Sequence, residues 1–220
     1  MLMENTVNIV IIDDHNIIIE GIELMLGFEK DIAIKKTYND ANLFIDDLRN
    51  RKVEAEIVLM DLVMPAINGL EASKILKKEF PHLKIIILSM NYEAKIIYEL
   101  IEKTGVEGYL SKKISRSELV SAIQYVRKGY THLSPEATEM LDSFRKKIVD
   151  YPVVKLSDRE KQIVKMMFAG DSNKEIAAKL FISLSTVETH RKNIYRKTDV
   201  NSLPKLMQIV TDLQLLDDLH

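Results

Sequence analysis

The feature that most narrows what this chain can fold into is an alternation running from residue 7 to residue 128. Short apolar runs rich in Ile and Val are each followed by a longer amphipathic stretch. Buried strands alternating with helices are what a parallel sheet needs, because each strand must be reached by a crossover that a helix supplies. Five runs read as strands: Asn8-Ile9-Val10-Ile11-Ile12, Ala33-Ile34-Lys35-Lys36, Ile57-Val58-Leu59-Met60, Lys84 to Leu88, and Gly108-Tyr109-Leu110. Among the intervening stretches, Gly69 to Glu79 places Leu70, Ile75 and Leu76 near helical spacing. Ser115-Arg116-Ser117-Glu118 is a capping box ahead of Leu119, Ala122, Ile123 and Val126. The expectation is a five-stranded, doubly wound parallel α/β domain over residues 1–128.

Beyond Gly129 no strand pattern is expected. Ser134-Pro135 followed by Glu136 to Ile148 predicts a helix with a serine cap and proline in its first turn, a helical linker over residues 129–152. Residues 153–220 read as all-α. Ser-x-x-Glu boxes at Ser157, Ser172 and Ser185 each predict a helix start, and Gly170 closes the first of these helices. Ser202-Leu203-Pro204 opens a fourth, carrying Leu206, Ile209, Val210, Leu213 and Leu216. At 46% hydrophobic, 220 residues can fill two cores.

Cysteine is absent, which excludes disulfide frameworks, thiolate metal sites and cysteine nucleophiles. The opening Met1-Leu2-Met3-Glu4-Asn5 has no basic stretch followed by an apolar core, and no apolar run is long enough to span a bilayer, so a cytoplasmic protein without membrane contact is expected. The formal net charge of -2 hides a division. Residues 151–220 hold 11 Lys+Arg and 9 Asp+Glu, leaving 20 and 24 of the total 31 and 33 for the front. Within the tail, Arg191, Lys192, Arg196 and Lys197 stand against Glu188 alone on one expected helix, where nucleic acid could bind.

Ligands of a doubly wound sheet sit at the carboxyl ends of its strands. There the chain places Asp13-Asp14 after strand one, Asp61 after strand three, Ser89 after strand four and Lys112 after strand five. Three converging carboxylates repel one another unless a hard cation joins them, and oxygen donors fit Mg²⁺. A carboxylate beside such a cation can attack phosphorus, with a lysine and a hydroxyl to receive the new charge. The plainer reading is that each Asp caps the helix after its strand. That suffices for one Asp but not for three together with Ser89 and Lys112.

These residues, with Asp61-Leu62-Val63-Met64-Pro65-Ala66-Ile67-Asn68-Gly69 and Tyr109-Leu110-Ser111-Lys112, resemble the receiver domain of bacterial two-component response regulators. The resemblance implies a flavodoxin-like receiver in which Asp61 is the phosphoacceptor. It makes Asp14 a direct Mg²⁺ ligand, Asp13 a ligand through water and the Val63 carbonyl a backbone ligand. Lys112 would pair with the phosphoryl oxygens, Ser89 would be the switch hydroxyl and Tyr109 the ring that turns inward behind it. Two positions depart from the family pattern. Met90 stands where a small residue is common, which would crowd the pocket, and Lys113 stands where proline is frequent, which leaves open whether that peptide is cis.

The tail, through Asn173-Lys174-Glu175-Ile176-Ala177, Ser185-Thr186-Val187-Glu188-Thr189-His190 and Asn193-Ile194-Tyr195-Arg196-Lys197, resembles the helix-turn-helix of LuxR-type regulators, the NarL/FixJ group. Thr198-Asp199 replaces the usual leucine-glycine pair. On a helix starting at Ser185, Glu188, Thr189 and Lys192 lie near the end that enters the major groove and are the base-facing candidates. Lys174, Thr186, Arg191 and Arg196 are the candidates for phosphates. For Glu188 a bond back to the Ser185 backbone is an equal alternative. Ile176, Ala177, Leu180, Val187, Ile194 and Val200 read as core.

The implied function is a DNA-binding transcription regulator, not an enzyme, that accepts a phosphoryl group from a sensor histidine kinase and pairs as a homodimer. Candidate pairing surfaces are Ile17, Ile18 and Ile19 on the first helix, not all of which can face the core, and Leu119, Ile123 and Val126 on the last. A Mg²⁺-dependent phosphohydrolase would want a second carboxylate two residues after Asp61, where Val63 stands. A receiver that works without phosphorylation is the other alternative.

Overall fold

The computed structural model describes residues 6–150, 154–213 and 215–216. Met1–Phe144 and Arg145–His220 form two compact units. The opening five residues used for the localisation expectation lie outside the described part, as do residues 151–153.

The first unit alternates strand and helix: β1 (Val7–Ile12), α1 (Asn16–Leu26), β2 (Ile32–Tyr38), α2 (Ala41–Arg49), β3 (Ile57–Asp61), α3 (Gly69–Glu79), β4 (Lys84–Ser89), α4 (Ala94–Tyr98), β5 (Gly108–Ser111), α5 (Arg116–Arg127), β6 (His132–Leu133) and the start of α6 (Pro135–Asp150). α4 runs on without a break into a π-helical segment, Glu99–Thr104, which Gly105 ends in the left-handed conformation.

Side chains alternate across each strand, so β1, β3 and β4 each feed two cores. Val10, Ile12, Val58, Met60, Ile85 and Ile87 pack with Phe44 of α2, Leu76 of α3 and Ile97 of α4. Ile9, Ile11, Ile57, Leu59, Ile86 and Leu88 pack with Ile22 of α1 and Ile123 of α5 on the other face. All the strand pairs are parallel, in the order β2-β1-β3-β4-β5-β6.

The sheet therefore has six strands where the sequence predicts five. His132 and Leu133 pair with Gly108 and Tyr109. Two residues carry no periodic signal, and it is the neighbouring edge of β5 that makes them a strand. Ala137 and Leu141 of α6 then join the buried core of the first unit, and Phe144 stacks on Tyr98 with ring centroids 5.2 Å apart.

The triple isoleucine divides as helical geometry requires: Ile17 is exposed, Ile18 half-buried and Ile19 buried. Leu119, Ile123 and Val126 are wholly buried under the sheet, which withdraws them as a pairing surface.

The second unit holds α7 (Asp158–Phe168), α8 (Asn173–Leu180), α9 (Leu184–Thr198) and α10 (Leu203–Asp212), packed around Ile163, Val164, Ile176, Val187, Ile194 and Leu206. Ala177, Leu180 and Val200 pack against that core partly buried. Ser157 and Ser172 form capping boxes with Glu160 and Glu175. Gly170, in the left-handed conformation, closes α7: its N–H reaches the Met167 carbonyl while that of Asp171 reaches Met166.

Ser185 does not start a helix. α9 begins one residue earlier, and Ser183 is its cap, accepting from the Thr186 N–H at 3.1 Å. Two serines two apart can each offer a hydroxyl, and the turn leaving α8 decides which one stands at the helix end. The exit of α9 keeps a left-handed residue, Asp199, at φ 52°.

Candidate functional site

Sheet register brings the flagged residues together. Ile12 pairs with Met60, so Asp13 and Asp61 follow as neighbours; Asp61 pairs with Leu88, and Ser89 with Ser111, one residue before Lys112. β1 lies between β2 and β3, so this is where the strand order reverses and a crevice opens.

Asp13 and Asp61 are buried and Asp14 is partly buried. Lys112 Nζ lies 2.7 Å from Asp13 Oδ2 and 3.0 Å from Asp61 Oδ1. Burial pushes the Asp61 carboxyl above the usual carboxylate range, the Asp13 charge adds to this, and Lys112 with the Val63 N–H pulls back only in part. Burial lowers the Lys112 ammonium, but hydrogen bonds to Asp13 and Asp61 outweigh it and hold the group above its ordinary value.

None of the three aspartates caps a helix. His15 stands at the α1 cap position with no side-chain cap bond, and Asn68 caps α3. The capping alternative is thereby removed. Asp13, Asp14, His15 and Asp61 offer ligand atoms all within 4.8 Å of one another. Asp13 Oδ2 and Asp14 Oδ1 are buried, and each has a single cationic or imidazole neighbour, Lys112 Nζ at 2.7 Å and His15 Nδ1 at 2.8 Å. Oxygen donors left short of partners in an acidic crevice fit a hard divalent cation.

The loop after β3 is held close to the site by Gly69, whose N–H donates to the Leu62 carbonyl at 2.8 Å. A methyl group there would lie 2.9 Å from Leu62 Cα and closer still to the Asp61 carbonyl oxygen. Only glycine allows that approach. Val63 and Met90 are exposed on the loops after β3 and β4, and the Lys112–Lys113 peptide is trans.

Ser89 is buried, and its Oγ accepts from the Asn91 N–H at 3.0 Å. The Tyr109 ring is wholly buried and its hydroxyl donates to the Asn91 carbonyl. Burial pushes the Tyr109 phenol up to about 12. His15 and Asn91 were missed from the sequence. Each directly follows a flagged segment, so position was a usable signal, but neither residue type announces the role its backbone and ring take in the folded chain.

On the second unit, Glu188, Thr189 and Lys192 are all exposed on α9, as are Lys174 on α8 and Arg196. With Ser183 as cap, Glu188 lies too far along the helix to bond back to it, which removes the capping alternative for Glu188. Thr189 Oγ1 donates to the Ser185 carbonyl at 2.9 Å. Arg191 is half-buried and bonds Asn173 Oδ1 at 2.7 Å, and Thr186 Oγ1 lies 2.7 Å from Ser183 Oγ. Lys197 is drawn inward to Glu160, 2.6 Å away.

A doubly wound unit with an acidic crevice and a lysine across it, followed by a four-helix unit with a basic exposed helix, defines a signal-receiving DNA-binding regulator. Residues 9–124 match the response regulator receiver domain, and residues 154–210 match the bacterial regulatory proteins of the luxR family. The chain belongs to the two-component response regulators with a LuxR-type helix-turn-helix, a family of transcription regulators rather than enzymes.

Among relatives, the transcriptional regulatory protein DegU of Brevibacillus brevis is 31% identical over 215 residues, covering 90% of each chain. The oxygen regulatory protein NreC of Staphylococcus haemolyticus is 32% identical over 217 residues, covering 95% of this chain and 99% of the relative. The solved RcsB–DNA complex aligns with a TM-score of 0.63 at 26% identity, over 95% of this chain and 100% of that one. RcsB of Salmonella enterica serovar Typhimurium, bound to a promoter with the phosphomimetic BeF3-, aligns at 0.65 and 25% over the same shares. Among the described residues no helix is long and apolar enough to cross a membrane.

Proposed function

We propose that this regulator is switched by a phosphoryl group transferred to Asp61 from a phosphohistidine of a sensor kinase. The observation that carries the proposal is the single crevice in which Asp13, Asp14 and Asp61 converge with Lys112 across from them. An Asp61 carboxylate oxygen attacks phosphorus, the P–N bond to the imidazole breaks, and the imidazole leaves with the electron pair. Asp13, Asp14, Asp61 and the Val63 carbonyl would hold Mg²⁺, which when bound offsets the charge on the phosphoryl oxygens. Lys112 is already beside Asp61 and takes one of those oxygens. Ser89 donates its hydroxyl proton to another, and Tyr109 keeps its ring inward behind it. Met90, exposed beside Ser89, slows small donors and attacking water; Met90→Ala would raise both rates.

The phosphorylated receiver favours a homodimer, with the exposed Ile17, Leu24 and Phe28 available on and just after α1. Pairing two tails on one duplex raises affinity through effective concentration. Glu188, Thr189 and Lys192 face base edges. The Thr189 hydroxyl is spent on its own helix, which leaves its methyl for thymine, while Lys174, Thr186, Arg191 and Arg196 lie toward phosphates. Half-sites would lie roughly 10 bp apart.

The test is capture of genomic fragments by the full chain at fixed salt, with and without beryllofluoride plus Mg²⁺, and with Asp61→Asn. One two-fold motif enriched only by the loaded wild type is expected. Equal enrichment in every sample would discard the switch and favour a receiver that works without phosphorylation.

A further inference from the structure

Phe181 is the most anomalous residue of the second unit. It occupies the turn between α8 and α9 with φ 53°, a left-handed conformation that a bulky side chain rarely takes. Two backbone bonds lock it there, from the Phe181 N–H to the Ala178 carbonyl at 3.3 Å and from the Ile182 N–H to the Ala177 carbonyl at 3.1 Å. Its ring is 95% exposed, so it gains nothing from the core it adjoins. Of the three non-glycine residues with positive φ among those described, the other two are Arg51 and Asp199, both polar. Asparagine or glycine would take this turn with less strain. A strained position with a wholly exposed aromatic ring is an outlier that points to a ligand outside the chain.

We infer that Phe181 is a DNA-contacting residue, its ring packing on the deoxyribose face of the backbone beside the groove that α9 enters. This rests on the DNA-binding reading of the second unit. The surroundings select the occupant. The turn lies two residues before Ser183, the cap of the 15-residue α9, on which Glu188, Thr189 and Lys192 are exposed. No carboxylate occurs between Glu175 and Glu188, so nothing in the turn repels a polyanion. Ser183, Leu184 and Ser185, which follow within four residues, are exposed as well. Sugar rings alternating with phosphates match apolar surface alternating with hydroxyls.

The test compares full-length wild type, Phe181→Asn, Phe181→Tyr and Lys174→Ala on two duplexes at two salt concentrations. One duplex is a mixed-sequence 30-mer, and the other is the motif recovered by wild type from genomic DNA. Phe181→Asn accepts the left-handed turn, so its thermal midpoint stays at or above that of wild type. It is expected to weaken binding to both duplexes about tenfold, with the salt slope unchanged because no charge is lost. Phe181→Tyr keeps the ring and binds as wild type, and Lys174→Ala flattens the salt slope. Unchanged binding by Phe181→Asn overturns the inference, as does a loss confined to the recovered motif, which would mark a base contact. If folded wild type recovers no motif and does not bind the mixed-sequence duplex, the DNA-binding reading itself fails, and the inference with it.

Discussion

Lys112 Nζ lies 3.0 Å from Asp61 Oδ1 with both groups nearly buried, and the same ammonium also reaches Asp13. The lysine thus holds two carboxylates that would otherwise face each other unscreened. Lys112→Met removes the charge and keeps the stem. It is expected to destabilise the first unit by about 3 kcal/mol at neutral pH without divalent cations, because buried carboxylates lose their partner. Added Mg²⁺ should recover much of that loss, more than it gives wild type. Thermal unfolding with and without Mg²⁺ measures both, and equal Mg²⁺ responses would count against the cation site.

Gly69→Ala drives a methyl against Asp61 and Leu62 backbone rather than against a flexible side chain. A cost of roughly 1–3 kcal/mol is expected, together with slower acceptance of phosphoryl groups because the β3 end must shift. Denaturant unfolding and the acetyl phosphate labelling rate report the two effects. A variant as stable and as reactive as wild type would show that this loop is not held as described.

Glu160 links the start of α7 to the end of α9, accepting from the Ser157 N–H at 2.7 Å and from Lys197. Burial pushes its carboxyl up, but Lys197 and Ser157 outweigh burial and hold it below the usual 4.5. A depressed carboxylate stabilises the fold above its unfolded pKa and loses that contribution as pH falls through the folded one. Glu160→Gln should therefore weaken amide protection in α7 and α9 at pH 7, and the difference from wild type should shrink as pH falls below 4.5 and through the lowered folded value. Hydrogen exchange at the two pH values checks the sign.

Ser183 and Ser185 make opposite expectations testable. Ser183→Ala should cost about 1 kcal/mol by removing the cap of α9, while Ser185→Ala leaves stability within about 0.5 kcal/mol. Equal losses would restore the start of the helix to Ser185.

Much of the fold was legible because its signals are local. The apolar runs of β1, β3 and β4, the boxes at Ser115, Ser157 and Ser172, and glycine at position 170 each determine conformation within a few residues. The candidate carboxylates were legible too, because each directly follows an apolar strand run and strand ends are where such a sheet binds its ligands. What the sequence left open are cases where two local answers are nearly equal and a distant contact chooses. β6 exists because β5 offers an unpaired edge. Leu119, Ile123 and Val126 became core because the sheet covers them. Ser183 won over Ser185 because the turn leaving α8, locked at Phe181, sets where α9 begins. Composition and spacing determined which groups this protein possesses. Only the tertiary structure decided which of them stand beside one another, because burial and hydrogen-bond geometry depend on residues far apart in the chain.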